Sequence, residues 1–314
     1  MWLYRNLYLI IKQLNTMKKF IVMTVIALST VACSNEGELT NVVENNAEQA
    51  TAPVTVRVSG FSITQEEFSS TRAAQNPADY DGVGAIDLAF YDAVGTEVYK
   101  TTQIKGDGTY TTFGEFTANL QVGTYTMVAV ARYHYAGDAF TLTSPTEAAY
   151  TSERPRETFA GTQSVTVTSA SPLDLDVTLN RISSWLKIVS TDGRPASATK
   201  IRTTFGKGGK GFNPTTGLAT TDAGFNQTNN PSTAVGATIE VNALPFLYTD
   251  EESMTITIET LDAGGNVLAT KVVNNVPFKR NRQTILTGAV FTADASAAAF
   301  KLETAWLSDY TMDF

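Results

Sequence analysis

From Leu173 to Asp192 the chain reads Leu-Asp-Leu-Asp-Val-Thr-Leu-Asn-Arg-Ile-Ser-Ser-Trp-Leu-Lys-Ile-Val-Ser-Thr-Asp. Leu173, Leu175, Val177 and Leu179 alternate with polar residues, which is the period of a strand with one buried face. Ile182, Leu186 and Ile188 then carry the apolar pattern at the opposite parity. In a strand, a slip of one residue sends every later side chain to the other face. The pattern predicts a long ribbon broken between Asn180 and Ser184. Two readings of the break are open: a junction between two β domains, which is preferred, or a bulge inside one.

The same alternation extends on either side. Val54, Val56 and Val58 face one way, and Gly60 moves the parity to Phe61 and Ile63, as a bulge does. Ile86, Leu88 and Phe90 form a strand that ends in the turn Asp92-Ala93-Val94-Gly95. Tyr125 to Tyr133 is apolar at both parities, as in a strand covered on both faces. Val165 and Val167 begin the strand before the ribbon. Further on, Ile201 to Phe205, Ile239 and Val241, Met254 to Ile258, Val267 to Val273 and Ile285 to Phe291 read as strands. Asp262-Ala263-Gly264-Gly265-Asn266 is a hairpin signal. Glu66 to Gly84 and Gly206 to Pro231 have no period and read as loops. No segment keeps a 3.6-residue apolar period, so the fold class is all-β, with about seven short strands per domain in two β-sandwiches. The expected division is 54–180 for the N-terminal domain and 181–314 for the C-terminal one.

What precedes Val54 bears on destination. Lys18 and Lys19 followed by the apolar Phe20 to Leu28 make an export signal starting at Met17, and the residues before it read as a misassigned start. Thr30-Val31-Ala32 stands directly before Cys33, the single cysteine of the chain. The sequence therefore reads as a lipoprotein signal over 1–32, with Cys33 acylated. A plain signal with an incidental cysteine is the alternative. The apolar run falls short of the ~20 residues of a membrane span. Loss of 1–32 takes four of the 23 basic residues and none of the 31 acidic ones, leaving 19 against 31 and a net charge of −12. With no basic stripe, nucleic acid is not an expected partner. Residues 33–53 are polar and acidic, the composition of a solvated tether. With one cysteine no internal disulfide can form, so stability must come from burial.

Chemistry-bearing residues are few. His134 is the only histidine and has no Gly-x-Ser-x-Gly elbow to serve; it reads as a packing or surface residue. A metal site built on His or Cys is excluded by count. Gly206-Lys207-Gly208-Gly209-Lys210-Gly211-Phe212 lacks the Lys-Ser/Thr of a phosphate loop. Asp174 with Asp176, and Glu251 with Glu252, have no opposed carboxylate in the pattern. Nothing argues for an enzyme or a cofactor.

The order of these features is similar to the fimbrillin superfamily, the lipoprotein-derived pilins of type V pili. The residues that carry the likeness are the lipobox ending at Cys33, the acidic tether, the first strand Val54 to Ile63 and the Arg72-Ala73 loop. The strand Ala85 to Asp92, the Asn180-Arg181 junction and the late run Val276 to Arg282 complete it. The resemblance implies two tandem transthyretin-like β-sandwich domains and a place on the extracellular face of the outer membrane. It implies a lipidated precursor cut after an arginine, at Arg72-Ala73 here, by an Arg-specific surface protease. It also implies a head-to-tail polymer with other fimbrial subunits, built by strand exchange and supporting adhesion. Phe300, Leu302, Trp306, Tyr310, Met312 and Phe314 share one parity and are the expected exchanged strand; the part before Trp306 reads equally as an ordinary last strand. The alternatives are an anchor or tip subunit, or a surface lipoprotein that binds glycan or host protein. Tyr133, Tyr135 and Tyr150 are too scattered in sequence to argue a sugar platform.

Overall fold

The computed structural model describes residues 50–62, 76–137, 139–151, 154–292 and 301–303, with the side chains of 60–62 and 301–303 excepted. The described residues lie in one compact unit, Gln49–Phe314. The strands of its first part are β1 (Thr51–Ser62), β2 (Ala85–Tyr91), β3 (Glu97–Ile104), β4 (Glu115–Gln121) and β5 (Gly123–Arg132). Then come β6 (Phe140–Ser144), β7 (Glu147–Tyr150), β8 (Thr158–Val167) and β9 (Leu173–Arg181). After the break follow β10 (Trp185–Ser190), β11 (Lys200–Phe205), β12 (Gly211–Phe212), β13 (Phe225–Asn229) and β14 (Glu240–Ala243). The last are β15 (Glu251–Leu261), β16 (Val267–Lys279), β17 (Gln283–Gly288) and β18 (Lys301–Glu303). One short 3-10 turn, Pro77–Asp79, is capped by the Asn76 side chain, which accepts from the Ala78 amide at 2.9 Å. The protein is all-β, as the alternation implies.

Seven strands form one hydrogen-bonded sheet in the order β3-β2-β5-β8-β9-β1-β4. Its continuity is thin at one place, because β8 and β9 pair only at Phe159 with Arg181 and Ala160 with Asn180. Beyond those two pairs the strands part, and the sheet becomes two layers, β3-β2-β5-β8 and β9-β1-β4. Phe90, Met127, Phe159 and Val165 from the first layer and Val54, Val56, Phe116 and Leu179 from the second fill one core. Side chains of the outer strands close the opposite side. The Gln103 amide donates to the Glu115 carbonyl at 2.6 Å and accepts from the Gly114 amide at 2.8 Å.

Strand β5 is buried on both faces because a second layer covers it. Met127, Ala129 and Ala131 point into the first core, while Val128 and Val130 join Tyr91, Tyr150, Phe212 and Phe246 in another. That second cluster lies under a three-stranded sheet, β12-β7-β6, whose strands come from both sides of residue 181. Asp87 and Arg132 are also buried there and satisfy each other at 2.8 Å, with Thr102 donating to the same carboxylate at 2.6 Å. A buried pair of this kind is tolerated only when its hydrogen bonds are completed.

The ribbon breaks where the parity change places it. Strand β9 ends at Arg181, β10 starts at Trp185, and Ile182, Ser183 and Ser184 between them are buried. The Ser184 hydroxyl and amide both donate to the Pro245 carbonyl, at 3.0 and 3.1 Å, so the break is a fixed corner. Strands β14-β10-β17-β18 and β13-β11-β15-β16 then form two four-stranded sheets. Leu186, Ile188, Ile201, Phe205, Ile256 and Leu286 pack between them. The expected turns are present: Asp92 accepts from the amides of Val94 and Thr96, and Asp262 from that of Asn266.

Gly206 to Pro231 departs from the sequence reading. This stretch is not only loop, since it contains β12 and β13. Its one large aromatic in a strand of five, Phe225, stacks on Phe205 at 4.6 Å, and Gln227 is buried through hydrogen bonds to Asn229 and to the Asn242 carbonyl. A strand held by amide side chains leaves no apolar period to read. The last long strand is also shorter than its pattern, ending at Gly288 in place of Phe291.

Candidate functional site

The element that combines position and chemistry is β1. It runs antiparallel to β4 and parallel to β9, with both edges paired. Ala52, Val54, Val56 and Val58 are 0–4% exposed and fill a row of sites between the neighbours. Ala52 lies opposite Leu120, Val54 between Ala118 and Leu173, Val56 between Phe116 and Leu175, and Val58 beside Val177. Large residues on the flanks thus match small ones in the middle, the cross-strand complementarity that fixes register. The register shifts between Val58 and Gly60, so the bulge expected at Gly60 is found. On the solvent face Arg57 reaches Glu115 at 3.2 Å and Asp174 at 3.5 Å. Asp174 is therefore an ion-pair partner, with no opposed carboxylate.

Strand β1 is the first of the described strands, and it continues into the rest of them through residues 63–84. One cut in 63–75 would sever it. Arg72 and Ala73, like Cys33, lie outside the described residues.

At the other end, the chain is held by Asp192. Its carboxylate accepts from the amides of Val290 (2.8 Å), Phe291 (2.9 Å) and Thr292 (2.8 Å), and from the Thr292 hydroxyl at 2.8 Å. Burial pushes the Asp192 pKa up, but those donors outweigh it and the net shift is downward. Leu302 is in β18, where its backbone lies opposite Leu286 of β17. Phe300, Trp306, Tyr310, Met312 and Phe314 lie outside the described residues. The Asp192 clamp had no signal in the sequence, because its partners are about a hundred positions away and are mostly backbone amides.

Where β8 and β9 part, a polar cleft of about 640 Å³ opens, lined by Gly161, Gln163, Asp176, Asn180, Thr216 and Arg280 among others. Beside it, Arg181 pairs with Glu157 at 2.7 Å, donates to the Tyr80 hydroxyl at 3.0 Å and reaches Asn281 at 3.2 Å. Burial and the hydrogen bond to Glu157 push the Tyr80 hydroxyl up to about 12. The network ties the end of β9 to the turn before β17, so Arg181 acts as a strut.

The remaining sequence candidates show no reaction centre. His134 is partly buried, with its backbone against Gly84. In the Gly206 to Phe212 loop Gly208 has φ +69 and donates its amide to Asp222 at 2.9 Å, and a Cβ there would stand 2.4 Å from the Phe246 carbonyl oxygen. Glu252 accepts from the Tyr248 amide; burial and the nearby Asp222 raise its pKa. Tyr150 is buried, whereas Tyr133 and Tyr135 converge on the Arg156 guanidinium at 5.7 and 4.3 Å. Among the described residues no group of three or more metal-ligating side chains occurs, and no helix is long and apolar enough to cross a membrane.

Several solved structures are similar to this chain at low sequence identity. A protein from Bacteroides ovatus described as a candidate adhesin is 11% identical, with a TM-score of 0.51 over 81% of this chain and 93% of that one. The fimbrial anchor protein Mfa2 from Porphyromonas gingivalis is 12% identical, with a TM-score of 0.48 over 81% of this chain and 98% of that one. A Bacteroides thetaiotaomicron protein described as a candidate polysaccharide-binding protein is 12% identical, with a TM-score of 0.48 over 80% of this chain and 96% of that one. No curated protein matches in sequence. A protein-family model described as "Family of unknown function (DUF6562)" matches residues 47–306, from just before β1 to Trp306, and the chain belongs to that family.

Proposed function

We propose that the chain is a structural subunit of a cell-surface fimbria that assembles with other fimbrial subunits by giving up β1 and accepting a strand in its place. The observation that carries this is the position of β1, the first described strand, which has both edges paired and is followed by residues 63–84 before the next strand. The fold shared with the Bacteroides ovatus protein supports the resemblance read from the sequence. In this reading Cys33 carries the lipid that brings the precursor to the outer membrane, and 34–53 is the tether. The folded part comprises two β-sandwich domains, 54–180 and 181–314. Cleavage after Arg72 then separates β1 from the subunit covalently, but not physically. Burying each of Val54, Val56 and Val58 contributes roughly 1.5–3 kcal/mol, and the backbone bonds to β4 and β9 add to that. A cut strand would therefore stay in place until another replaced it, as exchange requires and simple release does not. The end of the chain, from Trp306 to Phe314, is the segment offered to a neighbour.

The test is made in the producing cell. Wild-type chain is expected in heat-resistant ladders of the surface fraction together with other subunits, while an Arg72→Ala chain is expected in the membrane fraction as a monomer. Arg72→Ala chain found in ladders at wild-type level would overturn the reading.

A further inference from the structure

The geometry points to a binding site built on Arg156 that takes a carboxylate-bearing sugar, a uronate or similar acidic unit of a glycan. It uses no residue of β1 and does not rest on the exchange reading. Strand β5 ends at Arg132, yet the Tyr133 amide still donates to the Glu157 carbonyl at 3.0 Å. That bond carries the pairing of β5 with β8 one residue further and fixes Tyr133 against the segment before β8. Tyr133 and Tyr135, two positions apart, then both meet the Arg156 guanidinium, whose carbon lies 5.7 and 4.3 Å from their ring centroids. Pro155, buried directly before Arg156, restricts the backbone that presents it.

The charge on Arg156 is not neutralised by its surroundings. Among the described residues its guanidinium forms no ion pair, and its Nε is buried without a hydrogen-bond partner. The acids nearby are committed elsewhere: Glu157 to Arg181 and to the Tyr80 hydroxyl, both at 2.7 Å, and Asp87 to Arg132 at 2.8 Å. Stacking on aromatic rings holds a guanidinium in one plane but does not satisfy its N–H groups. An acceptor from outside would do so. Arg156 is half-buried, so its terminal nitrogens are the part left to solvent. A planar guanidinium pairs with a carboxylate through two parallel N–H···O bonds. A single cation on a chain of net charge −8 calls for one acid group, not for a polyanion. Tyr133 supplies the rest of the site. It remains 42% exposed beside the guanidinium and offers a ring edge and a hydroxyl. A sugar acid carries its carboxylate on a ring with C–H groups on its faces and hydroxyls at its rim, so it uses both residues at once. An inorganic anion or a flexible acidic side chain uses the arginine alone.

The test titrates the purified full chain, by calorimetry at low salt, with oligosaccharides of galacturonate, glucuronate and N-acetylneuraminate. The controls are the same oligosaccharides with their carboxyls reduced to alcohols, acetate, and a tetraglutamate peptide. At least one acidic oligosaccharide is expected to bind, and its reduced counterpart to bind about tenfold more weakly or worse. Arg156→Gln is expected to weaken that binding about tenfold or more, and Arg156→Lys to restore it only in part. Tyr133→Ala is expected to weaken it about threefold. Thermal unfolding of each variant is the folding control; should Arg156→Gln fail to fold, the reduced sugars on wild type and Tyr133→Ala decide. Binding of no acidic oligosaccharide overturns the inference, as does binding indifferent to carboxyl reduction or to Arg156→Gln. Acetate or tetraglutamate bound as tightly as the best acidic oligosaccharide also overturns it, because the site then selects an anion or a peptide and not a sugar. Each of these results leaves the assembly reading standing.

Discussion

Asp192 shows how much one side chain can fix. It follows β10 immediately, yet it organises the chain at 290–292, where the last described segment before β18 leaves the core. Four donors converge on one carboxylate, and hydrogen bonds to a charged acceptor are stronger than neutral ones. Asp192→Ala is expected to cost about 2–3 kcal/mol in urea denaturation. The pH dependence has a definite sign. The folded pKa of Asp192 is depressed, so its contribution is present above the unfolded carboxylate value of ~3.9 and disappears as pH falls through the folded value. Wild type should therefore lose stability more steeply than Asp192→Ala below that point, and the two curves of Tm against pH should converge in acid. Parallel curves would remove the clamp from the account.

Among elements, β1 and its neighbours were largely readable before the fold was known. Val54, Val56 and Val58 gave the buried face, Gly60 the bulge, and the parity change at Ile182 the corner between β9 and β10. The double-sided apolar run of β5 announced a second covering layer without saying what supplies it. That layer is β6, β7 and β12, and its pairing joins Ala148 and Ala149 to Phe212 and Gly211. Such pairings are between distant segments, and a two-residue strand carries no period of its own. Strand β13 stayed hidden for the opposite reason, because amide hydrogen bonds hold it where apolar alternation would have marked it. The candidate site was legible as a first strand; its two paired edges were not, since neither β4 nor β9 is adjacent to it in sequence. Two neighbouring residues of β1 should behave very differently. Val56→Asp places a carboxylate between Phe116 and Leu175 and should cost at least about 4 kcal/mol. Arg57→Ala removes an exposed ion-pair member and should cost less than about 1 kcal/mol. Urea midpoints of the two variants check the contrast.

At the scale of the whole molecule, three cores of the described residues share the work. One lies inside the seven-stranded assembly, one between the two four-stranded sheets, and one joins strands from both sides of residue 181. The third core and Arg181 bind the two parts at several points that do not involve β1. The described side chains of β1 pack into the first core and into neither of the other two. The molecule can thus keep its second and third cores while the occupant of one strand position changes. In the proposed reading this arrangement makes the first strand the place of assembly. The most direct measurement is the N-terminal sequence of this chain recovered from assembled surface material. The account predicts a chain that starts at Ala73, with β1 gone from it; a chain that starts at Cys33 and still carries residues 51–62 would contradict it.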